Sequence, residues 1–288
     1  MKSEKISHPI YDLHSHTTCS DGSLTPQELL TRASVRQVNV LAITDHDTTD
    51  ALPQAIEFRD EQQLDLKLVK GTEISTKWHG FEIHIVGLCI EPDEPSFQQV
   101  METQRQNRAI RAKNIAEKLE KKGVTAPYKR AFELAKGPYI SRTHFAKVLL
   151  EQGFVSTFDQ AFKKYLGKGK SCYVTSNWMD IDTAVKFIHL AGGIAVLAHP
   201  IRYDLSNKWL AKLVDYFAEV GGDALEVGLT QMSPNQRTHL CNLATERGLY
   251  SSQGSDFHTP ARWLDLGKNL RLTDKCKPVW THSRWRIV

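Results

Sequence analysis

The chain is poor in cysteine. Cys19, Cys89, Cys172, Cys241 and Cys276 are scattered through 288 residues with no CxxC pair. An odd, dispersed set argues against a disulfide framework and against a thiolate zinc site. No apolar run approaches the ~20 residues a membrane helix needs. The opening segment MKSEKISHPI has no apolar core of signal-peptide length, which argues against secretion. A cytoplasmic chain without membrane association is therefore expected. Internal repeats and low-complexity tracts are also lacking, so neither a solenoid nor a biased tail is indicated.

What is present is an ordinary globular composition, 41% hydrophobic and 24% charged. Its length suits one large α/β domain or two modest ones. The net charge of +4 conceals a division. Residues 101–172 hold 16 Lys and Arg against 6 Asp and Glu, about +10, which leaves about −6 for the remainder. An acidic body suits cation binding, and a basic segment suits an anionic substrate.

Apolar strand-like stretches fall at Ile10–His16, Val40–Thr44, Leu66–Glu73, Phe81–Ile90, Ile194–Ala198, Ala224–Gly228 and Leu249–Gln253. Helical stretches alternate with most of them. Thr25-Pro26-Gln27-Glu28 reads as a capping box opening a helix to about Gln37, and another helix spans Thr49 to about Gln63. Ile181–Ala191, Asn207–Val220 and Pro234–Gly248 supply three more. Repeating β-α units imply a mainly parallel sheet covered by helices, as an open sheet or a closed barrel. Residues 96–175 interrupt the pattern with helices alone: Ser96–Lys122, Tyr128–Ala135, Ser141–Gln152 and Thr157–Leu166. The expected division is barrel over 1–95 and 176–275, a helical insertion between them, and a tail over 276–288 whose tryptophans pack on the barrel.

Polar residues of metal-ligand type terminate the apolar strands. Asp12-Leu13-His14-Ser15-His16, Thr44-Asp45-His46-Asp47, Gly71-Thr72-Glu73, Ala198-His199-Pro200 and Ser255-Asp256-Phe257-His258 follow five of them, and His84 lies within a sixth. The carboxyl ends of parallel strands converge on one face, where active sites form. His14 and His16, two apart on an extended chain, project from the same face. Such N/O sets without thiolate suit Zn²⁺, Mn²⁺ or Fe²⁺ better than Ca²⁺. A single histidine at a strand end is usually structural, and Asp12, Asp47 and Asp50 read equally as turn formers or caps. Asp45 is balanced between a cap and a partner to a ligand. Six histidines and three carboxylates together outweigh nine independent structural explanations.

At this point the motifs at 12–22, 43–47, 71–75, 198–200 and 254–258 resemble the signatures of the PHP (polymerase and histidinol phosphatase) family. The resemblance runs over roughly residues 11–260. It implies an amidohydrolase-like fold, a distorted (β/α)7 barrel carrying an inserted small helical domain. It also implies three divalent ions, Mn²⁺ first among the candidates with Zn²⁺ or Fe²⁺ as alternatives. His14, His16, Glu73 and Asp256 would hold one ion; Glu73, His84 and His199 a second; Asp21, His46 and His258 a third. Glu73, His199 and Asp256 are the implied catalytic residues. All nine positions are filled, whereas degenerate family members lack several.

The stretches 138–146 and 161–170 resemble the insertion of the 3′,5′-nucleoside bisphosphate phosphatases, a group that includes a 5′→3′ exoribonuclease acting on ribosomal RNA 5′ ends. That resemblance implies a nucleoside 3′,5′-bisphosphate or the 5′ end of RNA as substrate, with no obligate protein partner. Arg142, Lys168 and Lys170 would clamp a phosphate, and His144 would orient substrate or protonate the leaving oxygen. As isolated features the lysines read as a solvated surface and His144 as a plain helix residue. Two alternatives stand beside this reading: a histidinol-phosphate phosphatase sharing every ligand, and a non-catalytic nucleic-acid-binding protein with structural metal. The basic insertion weighs against the first, and no aromatic-studded platform supports the second.

Overall fold

A computed structural model describes residues 9–288; residues 1–8, where most of the segment read for a leader falls, lie outside the described part. The short strand β1 (Tyr11–Asp12) pairs parallel with β2 (Val40–Ile43), and β2 with β3 (Lys67–Trp78). β4 (Phe81–Leu88) is next, and a two-residue strand β5 (Met179–Asp180) pairs with β3 off the main path. β6 (Ile194–Leu197), β7 (Ala224–Leu229) and β8 (Tyr250–Gly254) complete the order. Leu13 N–H donates to Gln253 O at 3.0 Å and Asp256 N–H to His14 O at 2.9 Å. These bonds bring β8 against β1, so the sheet is nearly a closed barrel.

The sequence of the strands accounts for this layering. Val-Leu-Ala-Ile in β2 and Ile-Ala-Val-Leu in β6 are buried at every position, as in a sheet covered on both faces. Alternate residues divide between two cores. Val40, Ala42, Val69, Val86 and Val196 fill the barrel interior, while Leu41, Ile43 and Leu68 meet Leu29, Leu30 and Ala33 of helix α1 (Pro26–Val35) outside it. The capping box at Thr25 is formed, with Glu28 N–H donating to Thr25 Oγ1 at 3.2 Å. Thr25→Ala should lower stability by about 1 kcal/mol, measured as a shift in the urea midpoint at unchanged m-value.

One β-α alternation is missing. No helix separates β3 from β4; they form an antiparallel hairpin, and β4 is also antiparallel to β6. The turn residues His79 and Gly80 both have positive φ, 45° and 74°, which the primed two-residue turns of hairpins demand. Helix α2 (Ala51–Glu61) links β2 to β3, and α7 (Ile181–Leu190), α8 (Asn207–Glu219) and α9 (Pro234–Glu246) precede β6, β7 and β8.

Between β4 and β5 lie α3 (Pro95–Glu120), α4 (Pro127–Ala135), α5 (Arg142–Glu151) and α6 (Phe158–Ala161), the last running into a π-helical turn at Phe162–Leu166. They pack around a core of their own that includes Ile115, Leu119, Phe145, Leu149 and Leu166. Helix α3 joins this layer to the barrel through polar side chains. Gln104 Nε2 donates to Ser75 O at 2.6 Å, and Arg108, 8% exposed, pairs with the fully buried Asp47. Burying that pair is tolerable because Ser75 N–H and Oγ also donate to Asp47, at 2.8 and 2.9 Å.

The tail returns to the barrel. Trp280 stacks on Tyr11 with ring centres 4.0 Å apart, and Trp285 meets the same ring edge-on. A disulfide joins Cys241 of α9 to Cys276. A single bridge of this kind is outside what cysteine spacing discloses, because the pair is 35 residues apart in sequence and adjacent only in the fold. Among the described residues no helix is long and apolar enough to cross a membrane.

Candidate metal centre

Glu73, on β3 where that strand leaves the barrel, is the hub of the site. Its Oε2 lies 3.2 Å from His14 Nε2, 3.2 Å from His16 Nε2 and 3.1 Å from His46 Nδ1. Its Oε1 lies 2.9 Å from His84 Nδ1 and 2.8 Å from His199 Nε2. Five imidazoles from four segments thus converge on one carboxylate. The hairpin makes this possible: antiparallel pairing sets Ser75 opposite His84, so a residue of β4 returns to the height of the ligands on β3.

The other two carboxylates share some of these histidines and add His258. Asp256 Oδ1 lies 3.2 Å from His16 Nε2, 3.5 Å from His14 Nε2 and 3.4 Å from His258 Nδ1. Asp21 Oδ1 lies 3.2 Å from His258 Nε2 and 3.9 Å from His46 Nε2. The structure therefore brings all nine expected ligands together. Three sets have donor atoms mutually within 4.8 Å: His14, His16, Glu73 and Asp256; His16, Asp21, His46 and His258; and His46, Glu73 and His84. The first matches the expected grouping. In the other two, His16 and His46 are shared between neighbours, and His199 stands beside His84 on Glu73 Oε1.

The donor set fits metal cations on its own chemistry. His14 Nε2, His16 Nδ1, Asp21 Oδ1, His46 Nδ1, Glu73 Oε2 and His199 Nδ1 are buried without a well-formed hydrogen bond, though several lie within ion-pair distance of one another. Buried polar atoms are rarely left so, and a cluster of them marks atoms built for another partner. Burial alone would raise the Glu73 pKa, yet His46 and His14 hold it well below the usual carboxylate range. Burial pushes His46 down to about 3, which leaves it neutral, as a ligand must be. Burial opposes charge on His16 too, but Asp256 and Glu73 overcome it and raise its pKa to about 9. A proton there must leave when a cation arrives.

Polar residues around the ligands fix their orientation. Asp45 accepts from Thr17 N–H at 2.7 Å and from Thr17 Oγ1 at 2.6 Å, pinning the loop that carries Asp21. Its carboxylate bonds Thr17 and Ser20 and no ligand side chain, so it orders the loop between His16 and Asp21. Asp12 accepts from Ser255 N–H at 2.7 Å and Gly267 N–H at 2.8 Å, tying β1 to the loop that carries Asp256. Asp50 stands at the N-cap position of α2 without a side-chain cap bond. Thr143 Oγ1 donates to Asp21 Oδ2 at 3.0 Å, a direct bond from the helical layer to a ligand.

Several residues at the site were not anticipated. Glu226 of β7 accepts from His199 N–H at 2.6 Å and lies 3.2 Å from His14 Nδ1. It thereby sets the tautomer of one ligand and the left-handed backbone (φ 30°) of another. Glu226→Gln should weaken metal affinity roughly 10-fold, toward the low end of what such partners contribute, measured by calorimetric Mn²⁺ titration. The signal was a glutamate inside the otherwise apolar run Ala-Leu-Glu-Val-Gly-Leu. Arg202 pairs with Asp256, and Tyr203 Oη accepts from His84 N–H at 2.8 Å.

A cleft of about 210 Å³ opens above the ligands and is lined on its far side by Glu82, Arg108, Arg111 and Arg142. Arg142 Nη2 lies 2.9 Å from Glu82 Oε2, and Arg111 grips the same carboxylate at 2.9 and 3.1 Å. Arg108 and Arg111 sit on the inward face of α3, where charge pattern alone reads as solvated. His144, Lys168 and Lys170 do not line the cleft. His144 is 1% exposed and closes the capping box of α5, accepting from Ser141 N–H at 3.0 Å, and burial lowers its pKa to about 4. Lys168 donates to Gly80 O at 2.7 Å and lies over the Phe81 ring, while Lys170 is exposed.

Histidine and carboxylate donors without thiolate, held at the mouth of a barrel under an arginine-lined cleft, define a metal-dependent hydrolase. Residues 12–168 match the PHP domain family, and the chain belongs to it. It is 50% identical to the 5′-3′ exoribonuclease Rnm of Escherichia coli over 271 residues, 94% of this chain and 92% of that one. It is 37% identical to the 3′,5′-nucleoside bisphosphate phosphatase of Chromobacterium violaceum, over 96% and 97% of the two chains. A solved structure of an amidohydrolase from Chromobacterium violaceum, with bound sulfate and no metal, superposes with a TM-score of 0.88 at 36% identity, over 96% of this chain and 97% of that one.

Proposed function

We propose that this chain hydrolyses the 3′-phosphate of nucleoside 3′,5′-bisphosphates to give nucleoside 5′-monophosphates. On the same reading it trims short 5′-phosphorylated RNA in the 5′→3′ direction, as in ribosomal RNA 5′-end maturation in the cytoplasm. The observation that carries this is the pairing of two anion-binding features in one cleft, a nine-ligand metal centre and, opposite it, Arg108, Arg111 and Arg142. Similarity to the exoribonuclease and the bisphosphate phosphatase supports the same substrate class. A monophosphate such as histidinol phosphate would occupy the metal centre and bring no second phosphate to the arginines, which would stay on Asp47 and Glu82.

In this reading three divalent ions, Mn²⁺ foremost, are held by His14, His16, Glu73 and Asp256; by Glu73, His84 and His199; and by Asp21, His46 and His258. When bound, clustered divalent ions lower the pKa of water toward neutrality and offset the charge on phosphoryl oxygens. Glu73 holds five imidazoles in one arrangement, and Arg202 steadies Asp256 against rotation. Arg142, placed by the capped N-terminus of α5, binds the phosphate that is not cut. Residues 96–175 act as a lid over the barrel, and Thr143 couples its position to Asp21. His144, neutral and engaged in the cap, orients that helix.

Phosphate release from 3′-phosphoadenosine 5′-phosphate and from histidinol phosphate, with Mn²⁺ added, tests the proposal. Preference for the bisphosphate by roughly 10- to 150-fold is expected, one charge-assisted phosphate contact contributing about 1.5–3 kcal/mol. Equal rates, or preference for histidinol phosphate, would overturn it.

A further inference from the structure

Two residues beyond His258 the chain leaves the metal centre and makes a tight turn. Ala261 and Leu264 exchange backbone hydrogen bonds at 3.0 and 3.2 Å, so Arg262 and Trp263 form the tip. Trp263 is 64% exposed, the most exposed Trp, Phe or Tyr ring among the described residues. Lys268 Nζ donates to Arg262 O at 2.8 Å and braces the turn. Beneath it lies a second cleft, about 370 Å³, between the turn and α1, lined by Arg32, Arg36, Arg262, Asp265 and Lys268. Four cations thus face one carboxylate. Asp265 is buried and engaged with Arg32, at 2.7 and 2.8 Å, and with Arg36. Arg262 and Lys268 have no ion-pair partner among the described residues.

Two short stretches of chain link this cleft to the metal centre. His258 lines the first cleft and Pro260 the second, and two residues span at most ~7 Å. Asp21 lines the first cleft, and Leu24 lines a shallow depression that shares Arg32 and Arg36 with the second. Ser23 N–H donates to His258 O at 2.7 Å, binding the two stretches together. The basic surface therefore begins on the Asp21–His258 side of the metal centre. The guanidinium of Arg142 pairs with Glu82, which lines the first cleft and not the second.

We infer that this groove binds the RNA strand on the 3′ side of the linkage being cut, Arg262 and Lys268 meeting phosphates and Trp263 stacking on a base. The inference rests on the exonuclease reading of the metal centre. Cations along a groove beside an exposed aromatic ring are the general means of holding single strands without sequence preference, since every base offers a face for stacking. A nucleoside bisphosphate ends at the metal centre and does not extend to the turn. The groove would therefore distinguish RNA from the small substrate, which the metal centre and Arg142 treat alike.

The test compares wild type with Arg262→Ala/Trp263→Ala and with Arg262→Glu/Lys268→Glu. Substrates are 3′-phosphoadenosine 5′-phosphate and a 5′-phosphorylated RNA hexanucleotide, and anisotropy with the labelled hexanucleotide gives binding separately. Both variants should lose on the order of 10- to 100-fold in kcat/KM and in affinity for the hexanucleotide, while bisphosphate turnover stays within about twofold. The dependence of log Kd on log salt should flatten by roughly one per cation removed. Unchanged hexanucleotide binding and turnover in both variants would overturn the inference and leave the surface to another partner, such as a protein. Wild type inactive on both substrates would instead sink the exonuclease reading, and anisotropy would still report on the groove.

Discussion

Glu73→Gln should abolish turnover while leaving the fold in place. The carboxylate is fully buried and meets His14, His16 and His46 through one oxygen and His84 and His199 through the other. Glutamine preserves the volume but replaces one oxygen with an amide that has no lone pair to offer. Whichever way it turns, either two or three of the five imidazoles face a donor, and the charge that attracts cations to both sides is gone. Loss of several kcal/mol of metal-derived stabilisation corresponds to on the order of 10³-fold or more in kcat. Bound metal, counted by elemental analysis after dialysis, should fall at more than one position, because Glu73 belongs to two of the donor sets. The metal-free protein should stay folded with a lowered thermal midpoint, since the carboxylate there pairs with imidazolium charge, His16 among it, and a buried cation left without its partner is destabilising. A Glu73→Gln protein with near-normal turnover and full metal content would contradict the shared-ligand arrangement.

The hub was legible because its parts lie at strand ends. A run such as Val-Leu-Ala-Ile followed by Thr-Asp-His-Asp states both the strand and the side on which its ligands emerge, and parallel packing brings such ends together. The reading was weaker where the chemistry departs from that rule. His84 lies within β4 and reaches the site only because β4 runs antiparallel, a reversal carried by two backbone residues, His79 and Gly80. Glu226 is embedded in an apolar strand, and its purpose depends on His14 and His199, both distant in sequence. Gln104, Arg108 and Arg111 lie on one face of α3, whose opposite face is exposed. Charge counting over residues 101–172 registered the excess of cations without separating those turned inward from those in water. Lys168 and Lys170 show the converse: a Gly-Lys-Gly-Lys loop looks made for phosphate, yet neither lysine lines the cleft above the ligands.

Arg142→Ala should remove the preference for a 5′-phosphorylated RNA end. A substrate engages both features of the cleft only when two phosphates lie at nucleotide spacing. In a bisphosphate these are the 3′ and 5′ groups; in RNA they are the 5′-phosphate and the first internucleotide linkage. Cutting that linkage releases a mononucleotide with its original 5′-phosphate and leaves a new 5′-phosphate on the shortened chain, so the step repeats in the 5′→3′ direction. In the unliganded protein Arg142 is held by Glu82, which also receives Arg111 and accepts from Trp178 Nε1 at 3.1 Å. Deleting Arg142 therefore leaves Glu82 with two partners, and little loss of stability is expected. The lost phosphate contact should cost about 1.5–3 kcal/mol, roughly 10- to 150-fold in kcat/KM, with metal affinity unchanged. RNA with a 5′-hydroxyl should suffer a comparable loss with wild type, and the variant should no longer distinguish the two ends. Measuring kcat/KM for both RNAs with both proteins closes the cycle. If Arg142→Ala retains the full wild-type preference, the clamp lies with Arg108 or Arg111 on α3, and Arg111→Ala becomes the variant in which that preference should disappear.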